Sequence, residues 1–213
     1  MGTFDTPIYA AARKSRLRNL LAHVGPAEIK WKSVLELGCG TGEIGQAFEE
    51  LGARVSSVDA RPEHIAELTK RFPYRRTHLI DVESDQFPGR LPGFDIVLCW
   101  GLLYHLNDPE TFLKRCAQIA PVLYLETQVI DSDESKVLCT AESGADQSFT
   151  SRGCRPSPKW IETTLTGLGF HVRDISGPSA NWTGSVFDWT PLNDGLSVRD
   201  GCLLRKMYVC KKP

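Results

Sequence analysis

"VLELGCGTGEIG", residues 34–45, decides the fold. Four glycines, Gly38, Gly40, Gly42 and Gly45, crowd into eight residues behind an apolar run broken by one acid, Glu36. The apolar run reads as a buried strand, and the glycine turn opens a helix near Glu43. Without a Cβ, glycine lets the backbone turn tightly and come close to a ligand. The helix start adds free N–H groups and partial positive charge.

Around this stretch, strands and helices alternate. Residues 8–24 read as an amphipathic helix with Leu17, Leu20, Leu21 and Val24 on one side, ended by Gly25-Pro26. Strands are predicted at 31–37, 54–59, 76–81, 94–100 and 122–129, with helices at 43–51, 62–72 and 109–118. The near-continuous apolar "FDIVLCW" (94–100) suits a sheet covered on both faces. After Val129 the rhythm breaks. Residues 130–156 are polar and irregular, a helix resumes at 158–168, and a strand follows at 170–176. A second irregular stretch, 177–200, precedes the last strand at 202–210. The pattern predicts one α/β domain over residues 1–213: a doubly wound, mostly parallel sheet with an N-terminal helix and two loop insertions.

Composition narrows the function classes. The chain has 213 residues, 41% hydrophobic and 24% charged, with a formal net charge of −1. That gives no global basic field for nucleic acid. No apolar run reaches membrane-spanning length, and the start lacks a signal-peptide core. The seven cysteines form no Cys-x-x-Cys pair, so they read as reduced, mostly buried thiols rather than zinc ligands. The expectation is a cytoplasmic protein without a metal, a nucleic-acid partner or a membrane partner, monomeric or homodimeric.

Ligands of an open parallel sheet bind beyond the carboxyl ends of its strands. A dinucleotide fingerprint, G-x-G-x-x-G, would need its third glycine where Glu43 stands. An anionic pyrophosphate is poorly matched to that acid. A nucleoside without phosphate, carrying a sulfonium and an ammonium, is compatible with Glu36 and Glu43, which favours S-adenosylmethionine (SAM). Asp59 ends the second strand 21 residues after Gly38, where a carboxylate can accept both ribose hydroxyls. Asp81 ends the third strand and can accept from an adenine amino group, with the Val82 N–H serving a ring nitrogen. The plainer readings are a simple turn, a helix-capping Asp59 and an ordinary loop acid at Asp81.

In order, "VLELGCGTG", "VDA", "IDV" and "FDIVLCWGLLYHLNDP" resemble the successive motifs of the class I SAM-dependent methyltransferase family, from Val34 to Thr127. The resemblance implies a Rossmann-like sheet of seven strands, the last antiparallel. It implies that Glu36, Gly38, Gly40 and Gly42 shape the methionine end of a SAM pocket. Asp59 would hold the ribose, Asp81 and Val82 the adenine, and Cys99, Trp100 and Gly101 would lie beside the sulfonium. Tyr104 and His105 follow the fourth strand, next to the methyl group in that family. His105 suits a general base; its other reading is a structural histidine beneath the cofactor. "YHLNDP" also resembles, over a short span, a segment of the carboxymethyl-transferring wobble-uridine tRNA enzymes.

On the acceptor side, Arg152 and Arg155 in "SRGCRPSP" are placed after the fifth strand, above the pocket mouth, where arginine matches carboxylate or phosphate. Trp182 and Trp189, in the second insertion, form a candidate aromatic lid. Tyr9, Arg13 and Arg16 share roughly one face of the first helix, and Arg13 or Arg16 is placed to meet the methionine carboxylate. The reading is a methyltransferase acting on oxygen or nitrogen of a small molecule, acidic or amine-bearing, with S-adenosylhomocysteine (SAH) as product. One alternative closes SAM into a four-membered-ring amino acid and releases methylthioadenosine. Another is a non-catalytic SAM-binding partner subunit.

Overall fold

The computed structural model describes residues 4, 6–89, 91–142, 148 and 150–213. Helix α1 (Pro7–His23) starts behind Thr6, whose hydroxyl accepts the N–H of Tyr9, with Pro7 in the first turn. Then come β1 (Ser33–Leu37), α2 (Glu43–Glu50), β2 (Arg54–Asp59), α3 (Pro62–Arg71), β3 (Arg76–Leu79) and β4 (Ile96–Trp100). A 3₁₀ turn, Leu103–His105, leads to α4 (Pro109–Ile119) and β5 (Val122–Gln128). The remainder holds β6 (Val137–Ala141), β7 (Arg152–Pro156), α5 (Pro158–Gly167), β8 (His171–Asp174), β9 (Ser185–Val186), β10 (Val198–Arg199) and β11 (Cys202–Lys211).

Strand β1 lies between β2, with Val34 opposite Val55, and β4, with Val34 opposite Ile96. The sheet runs β3-β2-β1-β4-β5-β11, and the first five strands are parallel. The chain winds outward from β1 to β3 and then returns past β1 to β4. The switch in direction therefore opens between the carboxyl ends of β1 and β4, where Gly38 and Gly101 sit at φ +65° and +78°. Strand β11 is antiparallel to β5, from Arg205 opposite Gln128 to Lys211 opposite Val122, and β8 pairs with the far edge of β11. These seven strands form the expected sheet; the two-residue β9 and β10 extend it to nine.

Alternate side chains of the central strands face opposite layers. Leu35, Val97 and Leu123 pack with Phe112 and Leu113 of α4 and Ile161 and Leu165 of α5. Val34, Ile96 and Tyr124 pack with Leu20 of α1 and Phe48 of α2. Five of the seven free cysteines are buried; Cys139 is exposed and Cys202 intermediate.

Both insertions are more ordered than their polar sequences suggest. Within 130–156, β6 and β7 pair as an antiparallel hairpin, and residues 143–147 and 149 fall outside the described residues. The hairpin lacks a regular polar–apolar alternation because adjacent residues of β7, Gly153 and Cys154, are both buried, packing on the 3₁₀ turn rather than on a sheet face. The second insertion is held by the buried Asp131, which accepts from the N–H groups of Leu192 and Asn193 and pairs with Arg199.

Candidate active site

A cavity of about 400 Å³ opens at the switch point, within the range of small-molecule sites. One end is built on the glycine turn. A Cβ on Gly38 would come 2.9 Å from Leu102 Cδ1, and one on Gly40 would come 3.0 Å from the ring of Phe4. Asp59 braces this turn: Oδ2 accepts the Gly40 N–H at 2.9 Å, and Oδ1 accepts the Arg61 N–H and lies 3.1 Å from His64 Nδ1. Asp81 and Val82 line the same end, and Asp81 Oδ1 accepts the Glu83 N–H.

Glu36 stands behind the turn rather than on the wall. Its carboxyl accepts the Gly45 N–H at 2.8 Å and the Ser57 hydroxyl at 2.7 Å, with Arg75 at 3.8 Å. Burial pushes its pKa up to about 7 against the opposing pull of Ser57, Arg75 and Gly45. Gly42 also lies behind the wall; a Cβ there would meet Arg75 at 2.7 Å and Leu68 at 2.9 Å. Cys99 is fully buried in the core, and burial pushes its thiol well above the ordinary range.

The other end is built by the 3₁₀ turn, α1 and the C-terminal segments. Trp100, Tyr104, His105, Tyr9, Arg13, Arg16 and Trp182 all line the cavity. His105 Nδ1 lies 2.5 Å from Oε2 of the buried Glu142. Glu142 also accepts the Ser148 N–H and a bond from Arg155 Nη2. Burial pushes the Glu142 carboxyl up, but His105, the Ser148 N–H and Arg155 outweigh it, so the group is held ionised. With the proton on Nδ1, facing the carboxylate, Nε2 keeps a lone pair.

The arginines divide differently from the sequence expectation. Arg155 does not stand over the mouth: its guanidinium is taken by Glu142 and by the carbonyls of Tyr104 and Cys154. Arg152 is exposed at the start of β7, away from the described wall. Trp189 also leaves the wall, donating Nε1–H to the Arg205 carbonyl between the cations of Arg199 and Lys206. In their place Arg205, unmarked by any sequence motif, enters the cavity. It shares Glu126 with Arg16: Arg205 Nη1 reaches Oε1 at 2.7 Å and Arg16 Nη1 reaches Oε2 at 2.8 Å. Burial pushes Glu126 up, but the two guanidiniums outweigh it and hold the carboxyl below its ordinary range.

The residues present fit SAM better than a dinucleotide. The wall carries Asp59 and Asp81 for hydroxyl and amino donors. At the start of α2, where a pyrophosphate would sit, it presents the carboxylate of Glu43, already paired with Arg71 and Thr41. Among the described residues, no group of three or more metal-ligating side chains is assembled, and no helix is long and apolar enough to cross a membrane.

Comparison with known proteins agrees with this geometry. A family model described as "Methyltransferase domain" matches residues 9–174. A ubiquinone biosynthesis O-methyltransferase of Maricaulis maris is 28% identical over 195 residues, covering 84% of this chain and 71% of that protein. The enzyme of that name from Xanthomonas campestris pv. campestris is 34% identical over 93 residues, 40% of this chain. That match spans 37% of the relative's length. Among solved structures, the N-terminal domain of EvdMO1, crystallised with SAH and D-fucose, superposes with a TM-score of 0.68 at 19% identity, covering 98% of this chain and 84% of that one.

Proposed function

The chain belongs to the methyltransferase-domain family, and we propose that it transfers a methyl group from SAM to an oxygen or nitrogen of a small molecule. The sulfonium of SAM supplies an electrophilic methyl group. Asp59 is assigned to the ribose hydroxyls, Asp81 and the Val82 N–H to the adenine, and the Gly38–Gly40 turn to close approach of the methionine portion. Arg13, which also lines the cavity, is assigned to the methionine carboxylate. The acceptor is assigned to the opposite end, between Trp100, Tyr104 and Trp182.

The observation that carries the reading is the pairing of His105, on the cavity wall, with Glu142 behind it. Glu142 orients the ring and stabilises the imidazolium, so Nε2 can take the acceptor's proton as the bond to the methyl carbon forms. Positioning of the acceptor in line with the sulfonium supplies much of the remaining acceleration. An intramolecular closure of SAM would need its base beside the cofactor's own ammonium rather than at the acceptor end, and a non-catalytic partner has no use for the pair.

The test is to incubate the protein with methyl-labelled SAM, first alone and then with small hydroxylated and amine-bearing acceptors, and to follow the products by mass spectrometry. SAH together with a methylated acceptor is expected. Methylthioadenosine from SAM alone would replace the reading with the cyclisation.

A further inference from the structure

The acceptor end of the cavity carries a charge that the protein does not balance. Arg16 and Arg205 share the single carboxylate of Glu126, and each guanidinium side chain is only 8% exposed. Two cations on one anion leave one net positive charge in a desolvated place. The other acids on the wall are engaged elsewhere: Asp59 by the glycine turn, Asp81 by the Glu83 N–H, Glu43 by Arg71 and Glu83 by Asn107 and the Asp108 N–H. Two donors on wall residues, the Arg205 Nε–H and the Trp100 Nε1–H, are buried with no hydrogen-bond partner among the described residues. Unbalanced charge and unmade bonds are costly when buried, and a bound anion relieves both.

The surroundings are planar. The Arg205 guanidinium lies over the ring of Tyr104 at 5.0 Å and over Trp182 at 5.4 Å, and Arg16 lies over Trp182 at 5.2 Å. The Tyr104 ring is also 4.1 Å from that of His105, so one aromatic side chain touches both the base and the cation.

We propose that Arg205, with Arg16, Trp100 and Trp182, forms a subsite for the carboxylate of the acceptor, and that the acceptor is an aromatic hydroxy acid whose hydroxyl faces His105. This deepens the methyltransferase reading and rests on it. A guanidinium matches a carboxylate by charge and by paired N–H groups, and the aromatic walls suit a flat ring between the two polar ends. In the transfer the acceptor oxygen bonds to the methyl carbon, the carbon–sulfur bond breaks, the hydroxyl proton passes to His105 Nε2, and SAH remains.

The experiment separates the two levels. SAH is titrated first by calorimetry into the wild-type protein. The SAH complex is then titrated with hydroxybenzoic and hydroxycinnamic acids and, in parallel, with their methyl esters. The acids are expected to bind at least tenfold more tightly than their esters, with a preference that shrinks as salt is raised. Arg205→Gln, checked for native circular dichroism, is expected to abolish the preference while SAH affinity stays within threefold. Equal binding of acid and ester, or binding of neither to the SAH complex, overturns the proposal without any variant. Loss of SAH affinity in Arg205→Gln with the acid preference intact also overturns it, assigning Arg205 to the cofactor's carboxylate. A wild-type protein that does not bind SAH overturns the methyltransferase reading itself, before any acid is added.

Discussion

His105 Nδ1 lies 2.5 Å from Glu142 Oε2, across 37 residues of sequence. The hairpin of β6 and β7 brings the two together. Glu142 follows β6, and Arg155 of β7 ties it to the Tyr104 carbonyl on the turn that carries His105. His105, Glu142 and Arg155 thus form one connected unit.

His105→Ala is expected to lower turnover at least tenfold, in the range of lost general-base catalysis, while SAH affinity stays nearly unchanged. Glu142→Gln keeps a hydrogen-bonding group but removes the charge, and turnover should fall roughly 10- to 100-fold, again with SAH affinity intact. Steady-state kinetics beside calorimetry on the two variants decides this. Full turnover in either one removes the pair from the mechanism.

The glycine turn, the places of Asp59 and Asp81 on the cavity wall and the alternation of strands were legible because each rests on local chemistry: turn geometry, strand period and the distance from one strand end to the next. The hairpin was not. Of its strands, "VLCTA" buries no residue and "RGCRP" packs on a 3₁₀ turn, so neither shows the period of two that marks a sheet face. Nothing in the sequence therefore marks Glu142 as the partner of His105. Arg205 was hidden for a related reason. It lies in an apolar final strand, and only the antiparallel register of β11 against β5 brings it to Glu126. In α1 the buried stripe includes Arg16 and Asn19 beside Leu20, because Glu126 and the Ile175 carbonyl receive them. A hydrophobic periodicity cannot register buried polar residues whose partners are remote in sequence.

Gly153 tests the hairpin's role from the backbone side. A Cβ there would lie 2.4 Å from the Tyr104 carbonyl oxygen and 2.9 Å from Glu142. Gly153→Ala should force β7 away from the turn and cost about 1–3 kcal/mol of stability, the usual penalty of overpacking. It should also lower turnover as Glu142→Gln does. Chemical denaturation and kinetics measured on one preparation check both. A variant with wild-type stability and turnover would show that the hairpin does not position the carboxylate.

Asp59 is asked to do two things: brace the Gly40 N–H and serve the ribose. Asp59→Ala removes a charge-assisted acceptor worth about 1.5–3 kcal/mol, so SAH affinity should drop roughly 10- to 100-fold. Asp59→Asn should fall between, since an amide oxygen can keep one of the contacts. Isothermal titration with SAH makes the comparison, and unchanged affinity in the alanine variant would take Asp59 out of the cofactor site.

Glu36 makes the stability of the glycine turn depend on pH. Its folded pKa of about 7 stands above the ordinary 4.5, so the folded state holds a proton that the unfolded chain has released. The sign follows from linkage: this contribution is fully present below pH 4.5 and is lost as pH rises through about 7. At about 1.4 kcal/mol per unit, the loss across that window is on the order of 3 kcal/mol. Glu36→Gln cannot titrate and disturbs the Gly45 and Ser57 bonds equally at every pH. Its stability should therefore start below that of the wild type at pH 4.5 by about 1–2 kcal/mol, and the gap should close or reverse by pH 7.5. Urea unfolding of both proteins at intervals across this range gives the difference directly. Two curves that stay parallel would mean that Glu36 is ionised throughout, and that the Ser57 hydroxyl, the Gly45 N–H and Arg75 together outweigh its burial.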